Sequence, residues 1–145
     1  MSPEKYFTQV QKDAMVAAIQ EAEKCTSGEI RIHFQNRCQT NPLDNAVEVF
    51  EKLKMHETAQ RNGVLIFIAL KDKKVAILGD AGINAKVSED FWDDIKNRMV
   101  EKFKSGQICE GVCEAVKEAG KQLKIYFPYQ KDDVNELPDD LSFKE

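Results

Sequence analysis

The sequence predicts an α/β fold. The expected form is an αβα sandwich around a small mixed sheet, a βαβ crossover plus a hairpin, flanked by about four helices. Three observations predict it. Residues 29–34, EIRIHF, alternate polar and apolar, which is the period of a strand. Residues 64–70, VLIFIAL, are continuously apolar, as in a strand covered on both faces. A charged turn, KDKK, then leads to a second apolar run, Val75–Leu78, so the two runs form a hairpin. A helical stripe lies between the first strand and the second, so those two should run parallel with a right-handed crossover.

At 145 residues the chain is expected to be one domain over 1–145, with residues 128–145 a tail that either packs back on it or stays loose. Such a length buries about two-thirds of the unfolded surface. A net charge of −4, with Lys and Arg scattered among acids, speaks against a nucleic-acid partner and reads as solvated helix faces. The N-terminal stretch has no apolar segment of signal-peptide length, and GVLIFIAL falls far short of the ~20 residues a membrane helix needs. A cytoplasmic monomer without membrane insertion is expected, with a protein partner left open. Cys25, Cys38, Cys109 and Cys113 form no CxxC pair and are expected to be buried free thiols.

In chain order, Thr8 and Gln11 have capping-box spacing, and Val10, Ala14, Ala18 and Ala22 recur every fourth residue beside Met15 and Ile19. That predicts a first helix, ended by Thr26-Ser27-Gly28. The strand EIRIHF follows, with Glu29, Arg31 and His33 on its wetter face and His33 expected at the surface. Asn41 can cap a second helix with Pro42 in its first turn. Ala46, Val47, Val49, Phe50 and Leu53 supply its buried side, and it runs out near KMHET. After the hairpin, a third helix is expected near Ser88, with Glu89 and Asp90 in its first turn where the helix dipole favours acids. Its stripe is Phe91, Ile95, Met99 and Phe103. A fourth helix carries Ile108, Val112, Ala115, Ala119 and Leu123. The tail offers Val134, Leu137, Leu141 and Phe143 for packing.

Chain direction brings three remote segments to one rim. Parallel strands begin at the same end, so Gly28 and Glu29 lie beside Arg61, Asn62 and Gly63. The hairpin returns antiparallel, so Gly79, Asp80 and Gly82 finish there too. Glycines allow positive φ and close approach to a ligand. The oxygens gathered are those of Glu29, Asn62, Asp80 and Asp90, with loop carbonyls. Hard cations, Ca²⁺ or Mg²⁺, prefer such ligands. Arg61 is a candidate for holding a phosphate or carboxylate. The competing reading makes Asn62 and Gly63 turn residues, Asp80 a strand end and Arg61 a surface cation. The spacing matches no EF-hand, P-loop or GxSxG motif, and no cysteine or histidine has an evident catalytic partner.

The stretches TSGEIRIHF, RNGVLIFIALKDKKVAILGDAGIN, FWDDI and KSGQICEGVCEAVKEAGKQL together resemble a TPM domain, over roughly residues 8–127. This is the domain of thylakoid acid-phosphatase-like proteins of photosystem II repair and of many bacterial proteins. The tail NELPDDLSF resembles that of short, soluble bacterial members. The resemblance implies an αβα sandwich and a divalent-metal site, often Ca²⁺, where the loops meet. It also implies a metal-dependent acid phosphatase activity. The alternative is a non-catalytic, calcium-stabilised protein-interaction module. The positions that match the family's loops are Asn62, Asp80 and the Glu89–Asp90 helix start; no catalytic residue is assigned.

Overall fold

Helix α1, Gln9–Glu23, begins on a complete capping box: Thr8 Oγ1 accepts from Gln11 N at 3.1 Å and Gln11 Oε1 accepts from Thr8 N at 2.9 Å. Helix α2, Pro42–Lys52, begins on Asn41, whose side chain accepts from Leu43 N at 2.8 Å. The computed structural model describes residues 2–88, 90–129 and 141–144, so Val134 and Leu137 of the expected tail contacts lie outside the described residues.

Four strands form one mixed sheet in the order β3-β2-β1-β4. They are β1 Glu29–Gln35, β2 Gly63–Ala69, β3 Lys74–Gly79 and β4 Ser142–Lys144. β1 pairs parallel with β2 and β2 antiparallel with β3, as the crossover and hairpin require. At the outer edge of β1, β4 adds in parallel opposite His33–Gln35. Three further helices follow β3: a short α3 Ala81–Asn84, then α4 Phe91–Lys104 and α5 Ile108–Tyr126. The third helix was expected from Ser88; the long helix instead starts at Phe91, and the GDAGIN turn holds a helix of its own.

The sheet separates two cores. On one face Ile30, Ile32, Phe34, Val64, Ile66 and Ile68 pack with Met15 and Ile19 of α1, Ile95 and Met99 of α4, and the Val112–Leu123 stripe of α5. On the other, Leu65, Phe67, Ala69 and Ala76 pack under Ala46, Val49 and Phe50 of α2 and under Met55. β2 is buried at every position, which explains its unbroken apolar run. No helix of the described residues is long and apolar enough to cross a membrane.

Two expectations about faces are overturned. The α1 stripe does not hold from end to end: Val10 is 78% exposed and Ala14 is also exposed, while Met15 and Ile19 are buried. Steps of four residues advance the stripe by about 40° each around a helix of 3.6 residues per turn, so its first members rotate into solvent. The wetter face of β1 is not at the surface either. Glu29 and His33 are each 3% exposed, Gln35 is buried and Arg31 half-buried, because α2 and β4 close over that side. The polar groups of His33 and Gln35 are met by neighbouring side chains, such as Asn45 Oδ1 for Gln35 Nε2 at 2.8 Å. Among the thiols, Cys38 and Cys109 are buried as expected, Cys113 is half-buried, and Cys25 is exposed; all are free.

This packing sets a contrast in stability. Ile66→Ala, in the buried strand, should cost about 2–5 kcal/mol. Val10→Ala should cost less than about 0.5 kcal/mol. Denaturant midpoints with equal m-values check both; a comparable loss at Val10 would refute the assigned α1 face.

Candidate functional site

The register places the anticipated residues on one rim. Glu29 pairs with Gly63, and Val64 pairs with Gly79, so the starts of β1 and β2 and the end of β3 lie together. Backbone bonds bind the segments: Glu29 N reaches Asn62 O at 3.5 Å, Asp80 N donates to Gly63 O at 2.9 Å, and Gly82 N donates to Arg61 O at 2.7 Å.

Asp80 is 7% exposed and its carboxylate is committed on several sides. Arg61 grips it in a fork, Nε to Oδ2 at 2.6 Å and an Nη to Oδ1 at 2.8 Å. The same carboxylate caps α3 by accepting from Ala81 N at 2.8 Å. Asp80 in turn raises the pKa of Arg61 above its ordinary value, first through these hydrogen bonds and then through charge. Arg61 sits at φ 53°, a left-handed conformation unfavourable for a residue with a Cβ. The Gly82 amide on its carbonyl and Thr58 O on its amide, 3.2 Å away, hold it there.

The glycines act differently from the expectation. Among the described residues, Gly106 is the glycine at positive φ; Gly63, Gly79 and Gly82 are not. They are small because protein, not ligand, comes close. A Cβ on Gly82 would stand 2.1 Å from Gln60 O and 2.6 Å from Arg61 O. A Cβ on Gly79 would meet Asn84 Oδ1 and a Trp92 ring carbon, both at 2.8 Å. Asn84 completes the clip: its Nδ2 donates to Gly79 O at 2.7 Å and its Oδ1 accepts from Trp92 Nε1 at 2.8 Å.

The other anticipated residues share the rim without converging on one point. Asn62 is 2% exposed and its Nδ2 points to Ser27 Oγ at 3.4 Å. By strand period Asn62 continues the α1- and α5-facing set of Val64, Ile66 and Ile68, whereas Asp80 continues the α2-facing set of Ala76 and Leu78. Asp90 is exposed at the start of α4, with no side-chain cap bond. Glu89 lies outside the described residues. Among the described residues, no three of His, Cys, Asp and Glu gather closely enough to hold a metal.

On the α2 side, Arg61 and Asp80 close one end of a groove of about 470 Å³, walled by Val47, Phe50 and Leu78, with Glu51 and His56 on its margin. No local motif marks Glu51 and His56. Their signal is topological: in a βαβ unit the crossover helix ends at the rim where the next strand begins. Two of the thiols are held protonated: burial pushes Cys109 up and Cys113 up to about 12, so neither is a thiolate nucleophile near neutral pH.

Comparison with known proteins agrees with this architecture. A family model described as the TPM domain matches residues 1–122. The chain is similar in structure to the BA42 protein of the psychrophilic bacterium Bizionia argentinensis, with a TM-score of 0.88 and 44% identity over 94% of each chain. It is similar in fold to the N-terminal domain of a P. gingivalis protein, TM-score 0.67 at 17% identity, covering 83% of this chain and 78% of that one. It is likewise similar to the N-terminal domain of cg2496 from Corynebacterium glutamicum, TM-score 0.64 at 11% identity over 81% and 74% of the chains. No curated protein matches.

The clip makes an unequal pair of glycine substitutions. Gly82→Ala drives a methyl into the 60–61 backbone and should cost about 3 kcal/mol or more. Gly106→Ala has open space but a strained φ of 78°, and should cost on the order of 1 kcal/mol. Thermal unfolding of both variants checks the order; the reverse order would refute the close approach at Gly82.

Proposed function

Because the chain belongs to the TPM domain family, we propose that this rim binds a divalent cation, Ca²⁺ first and Mg²⁺ second, which ties its loops together for contact with a partner protein. The supporting observation is the burial of two carboxylates, Glu29 and Asp80, and a carboxamide, Asn62, at the ends of sequence-remote segments on one rim. The donor chemistry fits a hard cation, which takes six to eight oxygens and accepts carbonyls and water among them. Asp80 and Glu29 would be its side-chain ligands, with Asn62 and Asp90 as further oxygens from their own segments. The cation would take over from Arg61 as the counter-charge of Asp80. Its contribution is charge neutralisation and a cross-link between loops.

A loop-tying role is favoured over phosphate ester hydrolysis because of Arg61. That side chain is the rim's candidate for holding a phosphate, yet it directs two N–H groups to Asp80. The half-exposed guanidinium keeps donors for a passing anion, but the grip aims it at the protein's own carboxylate.

Thermal unfolding in Ca²⁺, Mg²⁺ and chelator tests the proposal. At about one hundred times Kd, Ca²⁺ should stabilise the wild type by about 2.7 kcal/mol, or roughly 5–10 °C in Tm. Asp80→Asn should lower the starting Tm and lose that increment. A wild-type Tm indifferent to both cations would overturn the site. Phosphate release from a simple aryl ester should stay at the blank with Ca²⁺ present; release that disappears in Asp80→Asn would establish the phosphatase reading instead.

A further inference from the structure

His33 lies far from that rim, inside the sheet's α2 face, with its ring stacked on Phe67 at 5.8 Å between centroids. Nε2 is 3.0 Å from Gln35 Oε1 and Nδ1 is 2.9 Å from Ser142 Oγ. The network fixes the tautomer. Gln35 Nε2 donates to Arg37 O at 2.6 Å, and a carbonyl can only accept, so the Gln35 atom facing His33 is its oxygen. His33 Nε2 therefore carries the hydrogen. Nδ1 of the neutral ring is an acceptor, and the Ser142 hydroxyl donates to it.

Ser142 belongs to β4, a three-residue strand on the outer edge of β1. Besides its ladder, β4 is held by Phe143 stacked on Phe34 at 5.6 Å and by Lys12 Nζ 5.9 Å above the Phe143 ring. Leu141 packs just before it. So small an edge element opens locally at far lower cost than the sheet interior. A proton on Nδ1 turns this bond round, Nδ1 donating and Ser142 Oγ accepting, and leaves a cation on a ring that is 3% exposed. The neighbours from each packed element are Phe67 of β2, Gln35 and Arg31 of β1, Lys52 of α2, and Ser142 and Lys144 of β4. Among the described residues, the charges that bear on His33, from Lys144, Arg31 and Lys52, are positive. Releasing β4 carries Lys144 away and lets water reach the ring.

We propose that β4 is a proton-released strand: protonation of His33 undocks Ser142–Lys144 from β1 and uncovers its edge. Burial first, then Lys144, Arg31 and Lys52, lowers the pKa of His33 below its ordinary 6.5, against the Gln35 hydrogen bond, which raises it. The docked form thus binds the proton less readily than the undocked form. Docking is at full strength above about pH 6.5 and weakens as pH falls toward the docked pKa, by about tenfold in docking constant per unit within that window.

Nuclear magnetic resonance of the full chain between pH 7.5 and 5 tests this. Amides of residues 142–144 should leave their ladder positions in one step that β2 and β3 do not follow. His33→Gln should stay docked throughout, its folding verified at pH 7.5 by the ring-current shifts of Phe143 on Phe34. A wild type docked down to pH 5, or the same release in His33→Gln, overturns the proposal. Should His33→Gln fail to fold, Phe143→Ala supplies the reciprocal measurement. Weakened docking must raise the His33 pKa toward its ordinary value, and an unchanged pKa with β4 displaced overturns the proposal.

Discussion

Strand β2 is hydrogen-bonded along both edges, parallel to β1 and antiparallel to β3, and those pairings decide which loops can meet. Had β1 and β2 run antiparallel, the Glu29 end would face the KDKK turn rather than Gly63. The parallel sense comes from α2, whose Ala46, Val49 and Phe50 need Leu65 and Phe67 to cover them. A right-handed crossover is the way a helix returns to such a strand. Burial of α2 is thus what places Asp80 beside Arg61.

At the rim, charge and backbone act together. Arg61 holds a left-handed φ, which Gly82 stabilises by donating to its carbonyl and by lacking a Cβ that would strike it. In exchange the Arg61 side chain neutralises a nearly buried carboxylate. A divalent cation would have to outcompete a guanidinium already in place, so its apparent affinity includes the cost of detaching Arg61. Detachment is not ruinous, since half of the Arg61 side chain already faces water.

Much of this was legible in the sequence, and what was not has physical reasons. The capping box at Thr8 and the Asn41-Pro42 start are local chemistry, and each helix begins there. The unbroken Val64–Leu70 run and the charged turn after it encode the hairpin directly. Alternation in EIRIHF showed two faces but could not show that both are covered, because coverage depends on α2 and β4, elements remote in sequence. Ser142-Phe143-Lys144 is too short to display a period, so β4 read only as spaced apolar residues. Glycines in GDAGIN signalled close approach, but of protein rather than of the ligand expected. The approaching atoms turned out to be Gln60, Arg61 and Trp92, which no spacing rule could name. Convergence of the three segments followed from topology alone, whereas the Arg61–Asp80 fork depends on side-chain direction, which topology leaves free.

β1 runs between two polar sites of opposite character. At its start, Glu29 lies with Asp80 on a rim where Arg61 already supplies a positive charge. At its other end, His33 sits under the influence of Lys144, Arg31 and Lys52, where an added positive charge is resisted. A cation bound at the rim and a proton on His33 would therefore act on the same strand with opposite sense, one tying loops and the other loosening an edge. Because the rim is held through β2, β3 and α3 and the edge through β4, loss of either leaves the other's contacts intact. The sheet between them is buried on both faces and hydrogen-bonded throughout, so it can carry two local equilibria without a shared rearrangement.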